Sequence, residues 1–402
     1  MSRGIDLRLE LPSEERCLLY QMFHKGRVIF LKNKIFWHKV CRNGGSNIII
    51  TTLWTMYKKV NVHKPGQRLL TTPSQIFSSL IADVQRARRS IDMEFYIYED
   101  DNIGNAFARL LMRKARQGIP VRLLLDGYGS RNISRKLCNS LINSGVEVCM
   151  TSRIGISRNH RRMVIIDGNI AYVGGVNIAD RYVVGNTLGV WHDVELRMDG
   201  YEASMLLKIF EYDLMLYHGV VGDILNTSSG NVGIYCSEFQ HSITRLFEDI
   251  VDNAHSELII TVPYLFPTAM MVEKFRKAVE RGVRVVIIVP ERCDVWLLDD
   301  VMRSAYKEVI GVGVDVRLLR GAFVHAKMAL IDGQRVVLGS ANLDARSFHI
   351  NRELMLSTAE LGVCRAADMF VTSLLDKSTP PSSHELRSRI PRLFVDFLKP
   401  YL

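Results

Sequence analysis

The sequence predicts an α/β protein made of two pseudo-symmetric copies of one unit, each a largely parallel or mixed sheet flanked by helices. Three observations carry this reading. Strand-like and helix-like stretches alternate along the chain. The series strand, loop, amphipathic helix, Gly turn, strand at 90–130 recurs at 257–294. An Asp-Gly pair between two apolar runs, the strongest short hairpin signal, occurs at Asp167-Gly168 and again at Asp332-Gly333.

Taken in order, residues 1–66 read as a basic extension. Residues 1–70 hold thirteen Lys or Arg against four Asp or Glu, so nearly all of the net charge of +10 sits there. Such an arm can dock on an anionic membrane, at ~1 kcal/mol per basic residue, or remain a solvated basic face. No stretch reaches the ~20 apolar residues of a spanning helix; "RVIFLKNKIFW" and "NIIITTLWTMY" are short and interrupted. Asp6, Glu10, Glu14 and Glu15 stand where a signal peptide is basic and then apolar. The seven scattered cysteines have no C-x-x-C or Cys/His spacing. They read as reduced thiols, and no metal site is expected.

The first copy is expected at 67–225. In its helix Phe107, Leu110, Leu111 and Ala115 form one face, with Arg109, Arg113, Lys114 and Arg116 around the rest. Gly118 should end that helix as Gly282 ends its counterpart. "NTSSGN" at 226–231 reads as a linker, and the second copy runs over 230–378. "STPPSSHE" then detaches a basic, amphipathic tail, 379–402, which suits either a membrane interface or the body of the protein.

The hairpins carry the chemistry. Both match H-x-[K/R]-x4-D-x6-G-[G/S]-x-N, giving His160, Arg162, Asp167, Gly174 and Asn177, then His325, Lys327, Asp332, Gly339 and Asn342. Residues two apart on a strand share a face, so each histidine sits beside its cation. The small residues before each asparagine let backbone approach a ligand. A cation and an amide suit the non-bridging oxygens of a phosphodiester. Imidazole, with an ordinary pKa near ~6.5, attacks phosphorus when neutral or protonates a leaving oxygen when charged. In-line displacement needs one such group on each side, and duplication provides both.

The motif pair resembles the phospholipase D superfamily, whose signature is H-K-D repeated in one chain. "LLLDGYGS", "NHRRMVIIDGNIAYVGGVNIADRY", "WHDVELRMDG", "VPYLFP" and "VLGSANLDARSFHINRE" look more narrowly similar to bacterial cardiolipin synthases of the short type without spanning helices. The likeness covers about 67–400. It implies two phospholipase D-like halves with the active site at their interface, and a reaction without metal or other cofactor. By this resemblance His160 is the nucleophile and His325 the acid, then the base. Arg162, Lys327, Asn177, Asn342 and Ser340 hold the phosphate, while Asp193 and Glu353, each downstream of a histidine, orient the imidazoles. Asp167 and Asp332 belong to the catalytic signature, although their place at the turn suggests support. One position departs, since the family expects lysine at 162.

The activity implied is transfer between two phosphatidylglycerols to give cardiolipin and glycerol, by a peripheral protein on the cytoplasmic side of the cell membrane. A phospholipase D-type hydrolase is the nearest alternative, differing only in the fate of the intermediate. A nuclease of the superfamily is less favoured, because the body is nearly neutral and lacks a basic-aromatic track, so no nucleic acid partner is expected. Arg162 is the sole support for an inactive membrane-binding protein. Nothing in the sequence sets the oligomeric state.

Overall fold

In a computed structural model, residues 29–31, 34–36, 66–219, 232–237 and 242–387 are described. The chain divides into two units, Met1–Thr51 and Thr52–Leu402. In the first, Ile29–Leu31 pairs antiparallel with Lys34–Phe36. All that follows concerns the second. The remainder of the basic extension, the 226–231 linker and the tail beyond 387 lie outside the described residues.

Two sheets repeat one plan. The first runs Arg68–Leu70, Glu195–Asp199, Ile170–Gly174, Met163–Ile166, Ile91–Phe95, Val121–Leu125, Val146–Met150. The second runs Val232–Cys236, Leu354–Thr358, Arg335–Gly339, Lys327–Ile331, Glu257–Thr261, Arg284–Pro290, Asp315–Leu319, then Ser378–Thr379. In each, the hairpin and its outer neighbours are antiparallel, while the last three full strands are parallel. Both sheets are therefore mixed. Helices Asn102–Arg116 and Ala269–Glu280 supply the crossovers that parallel strands need. Gly118 (φ 83°) and Gly282 (φ 90°) follow their C-caps in the left-handed region, as expected.

One apolar cluster joins the sheets. It takes Met163, Ile165 and Val173 from the first, Met328, Leu330 and Leu338 from the second, and Phe210 and Phe370 from helices Tyr201–Tyr217 and Leu361–Leu375. Backbone bonds cross between the halves beside each motif. Ala322–Val324 pairs parallel with Val190–His192, and Asn159 bridges Arg352. The His325 amide donates to the His192 carbonyl at 2.8 Å, and the His160 amide to the Arg352 carbonyl at 2.9 Å.

Two details differ from the sequence reading. Lys114 is buried, donating to the carbonyls of Gln85 and Ala87 (2.5 and 3.0 Å) at the end of helix Pro73–Arg86. A cation serves the bare carbonyls there, so it leaves the solvent face. The strand Ser378–Thr379 pairs with Asp315–Leu319, so the expected boundary at 378/379 falls within it.

Candidate active site

The hairpin tips come first. Asp167 (φ 56°) and Asp332 (φ 52°) adopt the left-handed conformation, followed by glycines that do the same (φ 67° and 65°). Aspartate tolerates this region better than most residues. The Asp167 carboxylate accepts the backbone amides of Arg88, Arg89 and Ser90 at 2.6–3.1 Å. That of Asp332 accepts those of His255, Ser256 and Glu257 at 2.8–3.3 Å, with the Ser256 hydroxyl. Burial alone would raise the Asp332 carboxyl, yet these donors hold it far below the ordinary carboxylate range. Neither aspartate belongs to the wall of the cavity that holds the histidines. Both fasten each hairpin to the strand beside it, which corrects their inclusion with the catalytic set.

His160 and Arg162 precede strand Met163–Ile166, and Lys327 opens strand Lys327–Ile331, so the motifs lie on extended backbone at the strand mouths. Each cation curls back on its own histidine. Arg162 donates Nη1 to the His160 carbonyl (2.7 Å) and approaches its Nε2 with Nη2 (2.9 Å). Lys327 Nζ donates to the His325 carbonyl (2.7 Å) and lies over the ring, 3.1 Å from Nε2 and 3.2 Å from Nδ1. Arginine at 162 thus repeats the carbonyl bond of lysine at 327 and, like it, stays against its own histidine ring. Its buried Nε has no hydrogen-bond partner among the described residues.

The carboxylates are exchanged between the halves. Glu353 meets His160 Nδ1 at 2.9 and 3.1 Å, and Asp193 meets His325 Nδ1 at 2.6 Å. An ionised carboxylate only accepts and a cation only donates. Each ring therefore carries its proton on Nδ1; His160 turns its Nε2 lone pair toward Arg162, whereas Lys327 sits almost equally far from both nitrogens of His325. Aromatic rings fix the imidazoles: Tyr96 meets His160 edge-on (4.7 Å), Trp191 stacks on His325 (5.2 Å), and Tyr182 packs against it edge-on (5.2 Å).

The two pairs are not equivalent. Glu353 also accepts the hydroxyls of Ser340 and Ser347 and the Asn351 amide. Burial would raise its carboxyl, but His160 and Ser340 hold it below the usual value. Around Asp193 the position matching Ser340 is Gly175, where a Cβ would lie 2.3 Å from Asp193 Oδ1. Burial pushes Asp193 up to about 6, against Lys327 and the Val194 amide. Burial and Arg162 lower His160, while burial, Lys327, Arg162 and the facing His160 push His325 well down. Both imidazoles are neutral near neutrality.

Of the residues expected to hold phosphate, Arg162, Lys327 and Asn342 line the cavity. Two do not. Asn177 is fully buried, accepting the Ile97 amide (2.9 Å) and donating to the Tyr182 hydroxyl (2.6 Å). Ser340 is bound to Glu353 and to the backbone of Leu354. The cavity, of about 370 Å³, is walled by five cations, Arg158, Arg162, Arg181, Lys327 and Arg346, against Asp294 and Asp344. Sequence reasoning missed Arg158, Arg181 and Arg346. It also missed buried Asp213, which pairs with Arg161 (2.5 Å) and with Arg352. These two arginines flank the motif histidine and the orienting glutamate, so the pairing locks the His160–Glu353 register. No spacing in the sequence links a helical aspartate to either.

The family described as "Cardiolipin synthase, PLD-like domain" matches residues 80–196 and 247–369. A cardiolipin synthase of Geobacillus kaustophilus is 31% identical over 71% of this chain and 61% of its own length. A probable cardiolipin synthase of Bacillus subtilis is 29% identical over 72% of this chain and 62% of its own. The chain thus spans about three fifths of the length of these relatives. Among solved structures, phosphatidylserine synthase from Haemophilus influenzae superposes with a TM-score of 0.69 at 13% identity, over 87% of this chain and all of its own. Polyphosphate kinase from Porphyromonas gingivalis does so with a TM-score of 0.58 at 13% identity, over 79% and 49%. With these two the likeness is one of fold.

Proposed function

We propose a phosphatidyl transfer reaction, from the premise that this chain belongs to the cardiolipin synthase family defined by a phospholipase D-like domain. The observation that supports it best is the pair of neutral imidazoles in one cavity, each with a cation against its ring and each backed by a buried carboxylate from the opposite half.

Phosphatidylglycerol enters by its headgroup; a cavity at the small end of the ~300–1,000 Å³ range for ligand pockets leaves the acyl chains outside. Arg162 and Lys327 move from the imidazoles to the non-bridging oxygens, which frees the Nε2 lone pair of His160. The bound anion also offsets the cations that depress His325, which then takes a proton. The His160 lone pair attacks phosphorus as the bond to the glycerol oxygen breaks, and His325 gives that oxygen its proton. The phosphatidyl-imidazolium carries positive charge, and the firmly ionised Glu353 stabilises it, which favours His160 over His325 as nucleophile. A hydroxyl of a second phosphatidylglycerol then passes its proton to His325 and attacks phosphorus. Cardiolipin leaves, and His160 is regenerated.

The five cations supply from side chains the charge that the phosphate requires. An anionic bilayer surface, on its cytoplasmic side, is the setting that suits this substrate. Among the described residues no helix is long and apolar enough to cross a membrane. The test is incubation with labelled phosphatidylglycerol vesicles in EDTA, followed by lipid separation. Cardiolipin that is lost in His160→Ala and His325→Ala supports the reading. Phosphatidic acid alone makes the protein a hydrolase, and a reaction abolished by EDTA overturns the side-chain mechanism.

A further inference from the structure

Beside the cavity mouth the chain exposes two isoleucines almost completely. Ile154 and Ile156 are 88% and 71% exposed, at the tip of a loop that the motifs do not include. Large aliphatic side chains that face water this fully, next to each other, mark a contact surface. The tip is built. The Ser152 hydroxyl accepts the Ile154 amide and donates to the Ile154 carbonyl (3.1 and 2.9 Å). Arg346, a wall residue of the cavity, holds the Ile156 carbonyl at 2.7 Å. The Ser157 hydroxyl donates to the Ile350 carbonyl (2.8 Å), and the Arg158 carbonyl accepts the Arg352 amide (2.8 Å). The next residues are Asn159 and His160. The loop is thus tied by hydrogen bonds to the body and runs directly into the segment that carries the proposed nucleophile.

Its surroundings match the layers of an anionic bilayer. Arg153, within the loop, and Arg131 are both exposed. Arg131 and Arg158 both lie over the Tyr128 ring (4.8 and 4.4 Å to its centroid), and Tyr128 is itself part of the cavity wall. An amphipathic ring flanked by guanidiniums belongs at the headgroup level. Isoleucines belong below it.

We propose that loop 152–157 is a membrane-docking element that sinks Ile154 and Ile156 into the acyl boundary of an anionic leaflet, with Arg131, Arg153 and Arg158 against lipid phosphates. The inference rests on the proposed action on phospholipid. Interfacial elements bury apolar side chains ~5–10 Å deep. At ~3.3 Å per fully extended residue, four residues keep His160 within roughly 13 Å of Ile156. A tip at the acyl boundary therefore sets the cavity at the headgroups, where a lipid phosphate is reached without extracting its chains.

The direct test is Ile154→Trp in the full chain, its emission read as the difference from the parent with its four tryptophans. With phosphatidylglycerol vesicles the emission should shift to the blue and be quenched by bromine on the acyl chains, while neutral phosphatidylcholine gives much less. Unchanged emission on vesicles that sediment with the protein overturns the proposal. So does a blue shift already present without lipid, which would mean the tip is covered by protein. The double variant Ile154→Ser, Ile156→Ser should turn over vesicles at least about tenfold more slowly, yet act on monomeric short-chain phosphatidylglycerol within about twofold of the parent. Equal losses on both substrates would assign the isoleucines to the fold. If the parent acts on neither lipid, the functional reading fails, and the fluorescence still decides the docking.

Discussion

The exchanged carboxylates make the two half-reactions separable. Glu353→Gln keeps the shape beside His160 but removes the charge facing Nδ1, at a site with no exposed carboxylate surface. A hydrogen bond to a charged group is worth ~1.5–3 kcal/mol, and ~1.36 kcal/mol is tenfold in rate. Transfer to His160 should therefore slow roughly 10- to 150-fold, since positive charge develops on the ring. Asp193→Asn removes the corresponding charge behind His325, the proposed proton donor to the leaving group. The assay is single-turnover release from two lipids, phosphatidylglycerol and a phosphatidyl ester of p-nitrophenol, whose phenolate departs without a proton. Glu353→Gln should slow both substrates. Asp193→Asn should slow phosphatidylglycerol strongly and the nitrophenyl ester little. The reverse pattern would mean that each carboxylate serves the histidine of its own half, and would refute the crossed pairing.

Other outcomes follow from the same contacts. Arg162→Lys can remake both bonds to His160, as Lys327 does to His325; kcat should stay within about fivefold, whereas Arg162→Ala should lose 10²-fold or more. Burial and Arg162 bring the Lys327 ammonium down to about 7, so kcat/KM should fall as pH rises through that region. In Lys327→Arg this alkaline limb should move upward, because guanidinium stays charged. Asp332→Asn keeps a residue suited to the left-handed turn but weakens its bonds to the 255–257 amides, and should lower stability by ~1–3 kcal/mol in denaturant titration. The sign follows from its depressed pKa: the stabilisation is present above the ordinary carboxylate pKa and fades as pH falls below it. The Asn variant should lack this acid slope, with turnover per folded molecule unchanged.

Much of the architecture was legible because it repeats. The constant offset between the motifs, the glycines after the crossover helices and the two Asp-Gly turns all reflect local backbone rules, and each holds in three dimensions. What the sequence could not express is which half supplies what. Asp193 follows His160 and Glu353 follows His325, yet each turns to the other histidine, because the backbone pairs 190–192 with 322–324 and 159 with 352. Asn177 and Asn342 have equal motif positions but unequal neighbours: Tyr182 and Ile97 claim the first, and the cavity receives the second. Ser340 is drawn to Glu353, while Gly175 makes room for Asp193. Lys114, read as a surface cation, is taken up by the carbonyls of a neighbouring helix. Each miss is a tertiary contact overriding a correct local pattern.

The account stands most directly on a phosphatidyl-histidine at one named position. A phosphoramidate of histidine survives denaturation near neutral pH, with its acyl chains in place. Rapid quenching of the enzyme in neutral denaturant during turnover of phosphatidylglycerol, followed by peptide mass spectrometry, should find a phosphatidyl adduct on His160, absent from His160→Ala. An adduct on His325 alone, or steady cardiolipin formation with no adduct on either histidine, would contradict the account.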